Sequence, residues 1–442
     1  MCPAPSSRAR TQIPCPMQIG QITESVWQGS EIKAVWKKIL PTLGMLLAVL
    51  FLWTPARAAE AQNLTDSCTF RLCSTKRNVH SMTDGKYTTY WESNKIRNPY
   101  IEITSETPIY GLYLCFRKMP TSYEIQTLSG GEDPVWETVA EGDTRFIHAF
   151  YPLDGLRSVR VISTQSAKLQ MGFNEVFVFG EGEIPEWVQR WKEPEEKADV
   201  LFLVAHPDDE LLFMAGAIPT YDIEMEKRVV VAYLTWSNTT RRSEALNGLW
   251  TMGVRNYPVF GGFSDRYSNK LKDAYEKLGK TKVLSWVTEL FRRYRPEVVV
   301  THDLDGEYGH GQHRMLADAC LQCYDLAAQA EQDPESAAAY GVWQVKKLYL
   351  HLYGEESEQT RFNWDVPLER LGGKTGMELA AEALAMHVTQ ETAEIKVNHQ
   401  WTLLSMELTR EVFCNTAFGL AATQVGPDET HLDFLEHIEA AE

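Results

Sequence analysis

The most chemically informative residues follow the apolar run Val200–Ala205. This run ends in His206-Pro-Asp-Asp-Glu210, after which helical spacing begins. Acids and an early proline suit the start of a helix, because the helix dipole is positive there. A histidine gains nothing from that dipole, and imidazole is the commonest metal ligand. The cluster is therefore either an acidic helix start or, because of His206, part of a metal site.

A second polar cluster follows the apolar run Val298–His302 and extends to His313. His310 and His313 are three residues apart, so a helix that begins near Gly309 places both on one face. An HxxH pair alone also occurs by chance on protein surfaces. Together the clusters offer two histidines and one aspartate and leave one position for water. That set suits catalytic zinc better than structural zinc.

The elements that must position these clusters alternate between strands and helices from Ala198 onward. Near-continuous apolar strands separated by helical stretches are typical of a parallel sheet covered on both faces. Ligands of such sheets bind beyond the carboxyl ends of the strands, where both clusters lie. Residues 198–442 are therefore predicted to form an α/β, Rossmann-like catalytic domain.

The preceding region has a different pattern. Residues 62–182 contain short runs of alternating polarity bounded by Gly, Pro, Asn and Asp, which predicts an all-β sandwich of antiparallel strands. Residues 183–197 are rich in proline and acids and are predicted to be a linker.

The N-terminal residues indicate export. A basic pair precedes the apolar stretch Ile39–Trp53, and Ala56-Arg57-Ala58 provides a small-x-small cleavage site. The stretch is short for a membrane-spanning helix. Residues 37–58 are thus predicted to be a signal peptide, with an uncleaved anchor as the alternative, and residues 1–36 a misannotated or disordered leader. The remainder would act outside the cell or in the cell envelope.

Composition excludes some classes of protein. The chain has 442 residues and a formal net charge of −17, which is the wrong sign for a main partner that is nucleic acid. Its eight cysteines are too few for a disulfide scaffold, although Cys68 and Cys73 are close enough in sequence to pair. Cys320 and Cys323 form a CxxC within a helical pattern, which favours apolar packing over redox or zinc chemistry.

Two motifs carry a resemblance to a known family. Ala205-His-Pro-Asp-Asp-Glu210 together with Gly309-His-Gly-Gln-His313 resembles the PIG-L/LmbE family of zinc-dependent de-N-acetylases, which remove acetyl from N-acetylglucosamine-type groups. Between them, Arg241-x-x-Glu244 and Gly262-Phe-Ser-Asp265 follow the order and spacing of that family. His387 lies in a further family pattern, where helical packing is an equally good interpretation.

The resemblance implies roles for individual positions. The positions that match zinc ligands, with iron(II) as the alternative metal, are His206, Asp209 and His313. The positions that match the general base, the histidine that stabilises the charged intermediate and a tyrosine that polarises the substrate carbonyl are Asp208, His310 and Tyr308. The positions that match contacts to sugar hydroxyls are Arg241 and Asp265. The alternatives are that Arg242 serves in place of Arg241 and that the residues form a surface ion pair.

The β-rich region also resembles a family, the discoidin or coagulation factor 5/8 type C, galactose-binding-like sandwich. The motifs that carry this resemblance are Thr83-Asp-Gly85, Thr89-Tyr-Trp91 and Asn174-Glu-Val-Phe-Val-Phe-Gly180. Variable loops hold the ligand in that family, so no binding residue is carried over. Trp91 is predicted to be a core residue, with a sugar-stacking platform as the alternative.

These observations lead to one functional hypothesis and two rivals. The hypothesis is an exported, metal-dependent hydrolase that removes acetyl from an N-acetylated amino sugar or glycan, with a sandwich that binds glycan or the cell surface. The first rival is a catalytically silent surface carbohydrate-binding or adhesion protein. The second is a Rossmann-type nucleotide binder, but the first strand-to-helix turn carries acids where phosphate binding requires glycines.

Overall fold

The computed structural model describes residues 59–74, 79–236, 238–397 and 400–438. The residues from Ala59 onward belong to one compact unit. The predicted leader, residues 1–36 and 37–58, lies outside the described residues. Within the described part of the chain, no helix has the length and apolar character needed to cross a membrane.

The N-terminal region forms a seven-stranded antiparallel sheet. Its strands are β1 (Thr69–Leu72), β2 (Trp91–Glu92), β3 (Tyr100–Lys118), β4 (Tyr123–Leu128), β5 (Trp136–Glu141), β6 (His148–Ser163) and β7 (Gly172–Phe179). They are ordered β2-β7-β3-β6-β4-β5, and β1 pairs with β3.

Strands β3 and β6 are the longest of this sheet, and their pairing is irregular. The first part of β3, Tyr100–Thr104, pairs with β1 and with the end of β6, whereas the second part, Gly111–Lys118, pairs with β7. Register shifts lie between these parts, and such irregularities bend a strand. Trp91 is fully buried and stacks on Phe173, so it is a core residue. The region has the predicted character of a sandwich.

The C-terminal region is built on a second seven-stranded sheet. The strands that follow β7 are β8 (Val200–Val204), β9 (Val229–Thr235), β10 (Val259–Phe263), β11 (Val298–Thr301), β12 (Lys347–His351), β13 (Gln359–Arg361), β14 (Glu394–Val397), β15 (Gln400–Leu403) and β16 (Ala417–Thr423). The order is β10-β9-β8-β11-β12-β16-β13, in which the first five strands are parallel and β16 is antiparallel to both of its neighbours, β12 and β13. Strands β14 and β15 form a separate hairpin.

Helices connect these strands, as an α/β fold requires, and the predicted fold class is confirmed for this region. They are α1 (Asp209–Leu212), α2 (Ala217–Pro219), α3 (Thr239–Thr251), α4 (Leu271–Leu278), α5 (Lys280–Tyr294), α6 (Gly311–Leu326), α7 (Pro334–Tyr340), α8 (Gly376–Leu384) and α9 (Met406–Phe413). Cys320 and Cys323 are buried in the packed face of α6, as predicted.

The order of the parallel strands creates a crevice. From β8 the chain proceeds through β9 to β10 on one side and then returns to β11 on the other. The connections after β8 and β11 therefore diverge, and such a switch point is where ligands bind in open α/β sheets. Both polar clusters found in the sequence lie there.

The segment predicted to be a linker, residues 183–197, is packed against the protein. Trp191 is buried and contacts the rings of Trp250 and Tyr257 in the α/β region. Gln189 accepts a hydrogen bond from His148 of the sandwich and donates one to Asn247 of α3. Buried side chains of this segment therefore join the sandwich to the α/β region.

Cys68 and Cys73, considered above as a candidate pair, are both free thiols. Strand β1 lies between them in extended conformation. Five extended residues span about 16 Å, well beyond the Cα separation of roughly 7 Å that a disulfide tolerates.

Candidate metal centre and active site

Three predicted ligands meet at the crevice between β8 and β11. His206 Nδ1 lies 3.1 Å from Asp209 Oδ2 and 3.2 Å from His313 Nε2, and the third side of the triangle, from His313 Nε2 to Asp209 Oδ2, is 3.3 Å. Ligands at about 2.0 Å from a tetrahedral metal are about 3.3 Å apart. The three atoms therefore fit one face of a tetrahedral metal site.

Hydrogen bonds show which nitrogen of His206 and which nitrogen of His313 carries the hydrogen and which has an unshared electron pair. His206 Nε2 donates to Gln312 Oε1 at 2.9 Å, and the amide group of Gln312 is oriented because its nitrogen donates to the Ser264 carbonyl. His313 Nδ1 donates to Glu307 Oε2 at 2.8 Å. His206 Nδ1 and His313 Nε2 therefore keep unshared pairs that point at Asp209, as metal ligands must.

Two other histidines lie close enough to complete alternative groups of ligands with His313. Both nitrogens of His302 and the Nδ1 of His310 already take part in hydrogen bonds. His302 Nε2 accepts the backbone N–H of Ala205 at 2.9 Å, and His310 Nδ1 accepts that of Gln312 at 3.3 Å. The hydrogen bonds thus favour the predicted set of ligands over these alternatives.

The backbone after β8 separates the two adjacent aspartates. Asp208 has a φ of 115°, a value that side-chain-bearing residues rarely adopt, and strain of this kind collects at functional sites. The His206 backbone N–H donates to Asp209 Oδ2 at 2.7 Å, which holds that carboxylate in the triangle. Asp208 instead lines a cavity beside the triangle.

Glu307 lies behind the site as a buried hub. Its carboxylate accepts hydrogen bonds at 2.8 Å from the Nδ1 atoms of His302, His313 and His351. Burial raises the pKa of Glu307, but the imidazoles outweigh this effect and hold it well below its usual range. Gly306 precedes it with a φ of 65°, and a Cβ there would lie 2.5 Å from the His310 carbonyl, so only glycine permits the turn.

Sequence reasoning assigned no role to Glu307, His302 or His351. His302 and His351 could have been suspected from the sequence, because they stand at the carboxyl ends of the parallel strands β11 and β12. Nothing in the spacing shows that three imidazoles converge on one carboxylate.

Arg241, predicted to contact sugar hydroxyls, is bound to the candidate base. Its guanidinium lies 3.1 Å from Asp208 Oδ1 and donates to the Pro207 carbonyl. Arg241 is only 9% exposed, which excludes the surface ion pair considered above. Burial raises the pKa of Asp208 and Arg241 opposes this effect, and the net result is a pKa of about 6. A carboxylate with that pKa can exchange a proton near neutral pH.

The cavity that opens onto these groups has a volume of about 700 Å³. Its lining includes the predicted residues His206, Asp208, Arg241, Asp265, Tyr308 and His310. Its lining also includes residues that sequence reasoning missed, namely Thr88, Arg117, Asn238, Thr240, Thr389 and Gln390. Thr88 and Arg117 belong to the sandwich, so both regions of the chain build this cavity.

Two residues of the cavity wall are placed to act on a substrate. Burial and neighbouring imidazoles lower the pKa of His310 to about 2, so the ring is neutral. Since its Nδ1 is an acceptor, its Nε2 carries the hydrogen. Tyr308 has a φ of 46°, is 43% exposed and packs edge-on against His310.

Asp265 is among the residues that line the cavity, whereas His387 is not. Asp265 Oδ1 is 3.7 Å from His206 Nε2 at the cavity wall. His387 is buried against α3, and neither ring nitrogen has a hydrogen-bond partner among the described residues. This placement favours packing for His387. Thr389, two residues after His387, lines the cavity. Its N–H and its hydroxyl both donate to Glu244.

Comparison with known proteins matches the centre of the α/β region to one family. The family model described as PIG-L, GlcNAc-PI de-N-acetylase, matches residues 201–324. A protein of Frankia alni named 1D-myo-inositol 2-acetamido-2-deoxy-alpha-D-glucopyranoside deacetylase 1 is 24% identical over 41% of this chain and 70% of its own length. A Streptomyces avermitilis deacetylase of the same substrate is 24% identical over 53% of this chain and 95% of its own length.

Solved structures show weaker similarity. An N,N'-diacetylchitobiose deacetylase from Pyrococcus horikoshii covers 46% of this chain and 74% of its own, with 18% identity and a TM-score of 0.34. A family 32 CBM from C. perfringens NanJ covers 27% of this chain and 98% of its own, with 15% identity and a TM-score of 0.23. The matched residues begin in β8 and contain β9 to β11 of the C-terminal seven-stranded sheet, so this part of the chain, residues 201–324, matches the PIG-L family.

Proposed function

We propose that this protein is a metal-dependent de-N-acetylase that hydrolyses the acetamide of an N-acetylglucosamine-type sugar. One observation carries the proposal: three unshared electron pairs form a triangle beside a cavity that also exposes the carboxylate of Asp208. The names of the Frankia and Streptomyces relatives, both deacetylases of an acetamido sugar, support it.

The ligand set favours zinc, with iron(II) as the alternative. Two imidazoles and one carboxylate leave an open position, as in catalytic zinc sites. Zinc held by His206, Asp209 and His313 would lower the pKa of a water molecule and polarise the amide carbonyl. Glu307 would keep His313 in the ligating tautomer, and Gln312 would do the same for His206.

Asp208 is the proposed general base. It takes a proton from the attacking water and returns it to the departing nitrogen, so that water and the amide yield acetate and a free amine. Arg241 is a positioning residue, since it holds one carboxylate oxygen at 3.1 Å. The buried pair keeps Asp208 directed into the cavity.

His310 and Tyr308 are the proposed donors to the oxygen that gains charge during attack. Nε2 of His310 carries a hydrogen that it can donate, because Nδ1 is an acceptor. A fixed donor of this kind stabilises a tetrahedral intermediate more strongly than water does. Asp265 lines the same cavity and is proposed, with Arg241, to contact sugar hydroxyls.

Export remains part of the proposal, with the enzyme acting outside the cell or in its envelope. It depends on the leader at residues 37–58. A silent glycan-binding protein is the competing function, and the presence of the full set of ligands together with Asp208 argues against it.

The test measures bound metal and acetate release from N-acetylglucosaminides. We expect about one metal ion per chain and acetate release that a chelator abolishes. Asp208→Asn is expected to lower kcat by about 10²- to 10⁴-fold with the metal retained. A protein that binds metal but releases no acetate from any acetylated sugar would contradict the enzyme and favour the binding protein.

A further inference from the structure

A second cavity of about 700 Å³ adjoins the first. Arg117 and Asn238 stand in the walls of both. Arg117 and Lys118 end strand β3 of the sandwich, whereas Asn238 and Arg242 lie at the start of α3. The wall of the second cavity is thus assembled from both regions of the chain.

This wall is positively charged. Arg117, Lys118 and Arg242 line it, and among the described residues no carboxylate does. Glu92 lies 3.1 Å from Lys118 Nζ and 3.7 Å from Arg117 Nε, and it offsets one of the three charges. The whole chain has a net charge of −17, so basic residues are concentrated in this wall although acidic residues outnumber them in the sequence. Clefts of one sign attract ligands of the other.

Arg242 is held rigidly in this wall. Its guanidinium lies 5.1 Å from the ring centroid of Trp236 and 4.6 Å from that of Phe260, and it donates to the Tyr257 hydroxyl at 3.2 Å. Its Nε has no hydrogen-bond partner among the described residues. A planar guanidinium fixed on aromatic rings is preorganised for carboxylate or phosphate.

Arg117 is fixed where the two cavities meet. Its guanidinium donates to Thr240 Oγ1 at 3.2 Å and lies 4.7 Å from the ring centroid of Tyr90. Its carbonyl accepts a hydrogen bond from Thr239 Oγ1 at 3.1 Å. Since Thr239 is the first residue of α3, the positive end of that helix points to the same place.

We propose that the second cavity binds an anionic group, a carboxylate or a phosphate, attached to the sugar whose acetamide occupies the first cavity. The sandwich supplies Arg117 and Lys118 to hold this group. The proposal rests on the proposed deacetylase function and narrows its substrate class to N-acetylglucosamine-type sugars joined to a uronic acid or to a phosphate. The sandwich is then part of the substrate site and not only a separate glycan-binding module.

The first experiment compares kcat/KM for three substrates: a disaccharide of glucuronic acid and N-acetylglucosamine, N-acetylglucosamine 1-phosphate, and neutral N,N'-diacetylchitobiose. We expect an anionic substrate to be preferred by about tenfold or more, from one charge-assisted hydrogen bond. The preferred anion identifies carboxylate or phosphate. Equal or better use of the neutral substrate would overturn the proposal.

Matched variants assign the preference to the cavity. Lys118→Gln is expected to reduce the anionic-to-neutral ratio by about tenfold, mainly through KM. Arg71→Gln removes the same charge from an exposed site on β1 of the same sandwich and serves as the control. An identical ratio in both variants and the unmodified protein would refute a role for Lys118.

Direct binding separates this proposal from the deacetylase function. Calorimetric titration uses glucuronic acid, inorganic phosphate and neutral glucose as probes, on the unmodified protein and on Lys118→Gln. Anion binding that Lys118→Gln weakens supports the anion site even if no acetylated sugar is hydrolysed. Hydrolysis of acetylated sugars without any anion binding would overturn the anion site and leave the deacetylase function intact.

Discussion

The two regions of the molecule use the ends of their strands differently. At the ends of β8, β11 and β12, imidazoles and carboxylates are buried and share hydrogen bonds that define their orientation. At the end of β3, the side chains of Arg117 and Lys118 remain 25% and 44% exposed. Groups that react must be fixed before the substrate arrives, whereas groups that select a substrate still function when water reaches them.

Of the three predictions that compare the two regions, the one with the largest expected effect concerns His310, the fixed donor of the α/β region. His310→Ala should lower kcat by about 10²- to 10³-fold, because it removes a preorganised hydrogen bond to the oxygen that gains charge. Steady-state kinetics measure this loss, with metal content as the control because His310 Nδ1 is not free to ligate. A loss of less than fivefold would show that Tyr308 alone serves the oxygen.

The second prediction concerns the boundary between the regions. His148 of the sandwich is buried, with Nδ1 donating to Gln189 Oε1 at 2.7 Å and Nε2 lying 3.1 Å from Ser243 Oγ of α3. Burial lowers the pKa of His148 to about 4, whereas an unfolded histidine titrates near 6.5. The folded protein therefore binds fewer protons than the unfolded chain between these values.

This contribution to stability is complete above about pH 6.5 and is lost as the pH falls towards 4. The loss amounts to at most about 3 kcal/mol in the free energy of unfolding. Denaturant titrations at pH 7 and pH 5 measure the part of this loss that falls above pH 5, and His148→Gln should reduce the difference between the two. An unchanged difference in the variant would place the acid sensitivity elsewhere.

The third prediction has the smallest expected effect and concerns Glu307, which orients a proposed metal ligand in the α/β region. Glu307→Gln removes the charge that holds His313 in its ligating tautomer, and loss of such a partner weakens metal binding by about 10- to 100-fold. Competition with a chelator measures this affinity. Added metal should restore much of the activity, whereas activity that stays low at saturating metal would indicate a different role for Glu307.

Much of the α/β architecture follows from local pattern. The apolar runs at Val200–Val204 and Val298–Thr301 are long enough to specify buried parallel strands, and the polar clusters follow them directly. Because parallel strands end at one edge, the pattern correctly brought His206, Asp209 and His313 together.

The remainder depends on contacts that spacing does not encode. The role of Glu307 depends on which nitrogen of each imidazole carries the hydrogen, and that depends on the folded network. The spacing did not show that Arg241, predicted to contact sugar, also pairs with Asp208. Arg117 was not predicted at all, since no local pattern shows how a sandwich docks beside a parallel sheet. Residues 183–197 have the composition of a linker, yet Trp191 is buried.

Gln312 contacts both the proposed metal ligand His206 and the loop that carries Asp265. Its amide oxygen accepts hydrogen bonds from His206 Nε2 at 2.9 Å and from the backbone N–H of Arg266 at 3.3 Å, next to Asp265. Under the proposed function, a sugar that displaced the 264–266 loop would therefore also disturb the imidazole of the proposed metal ligand His206. By thermodynamic reciprocity, whatever factor sugar binding applies to metal affinity, the metal applies to sugar affinity. Occupancy of either site would then report on the other.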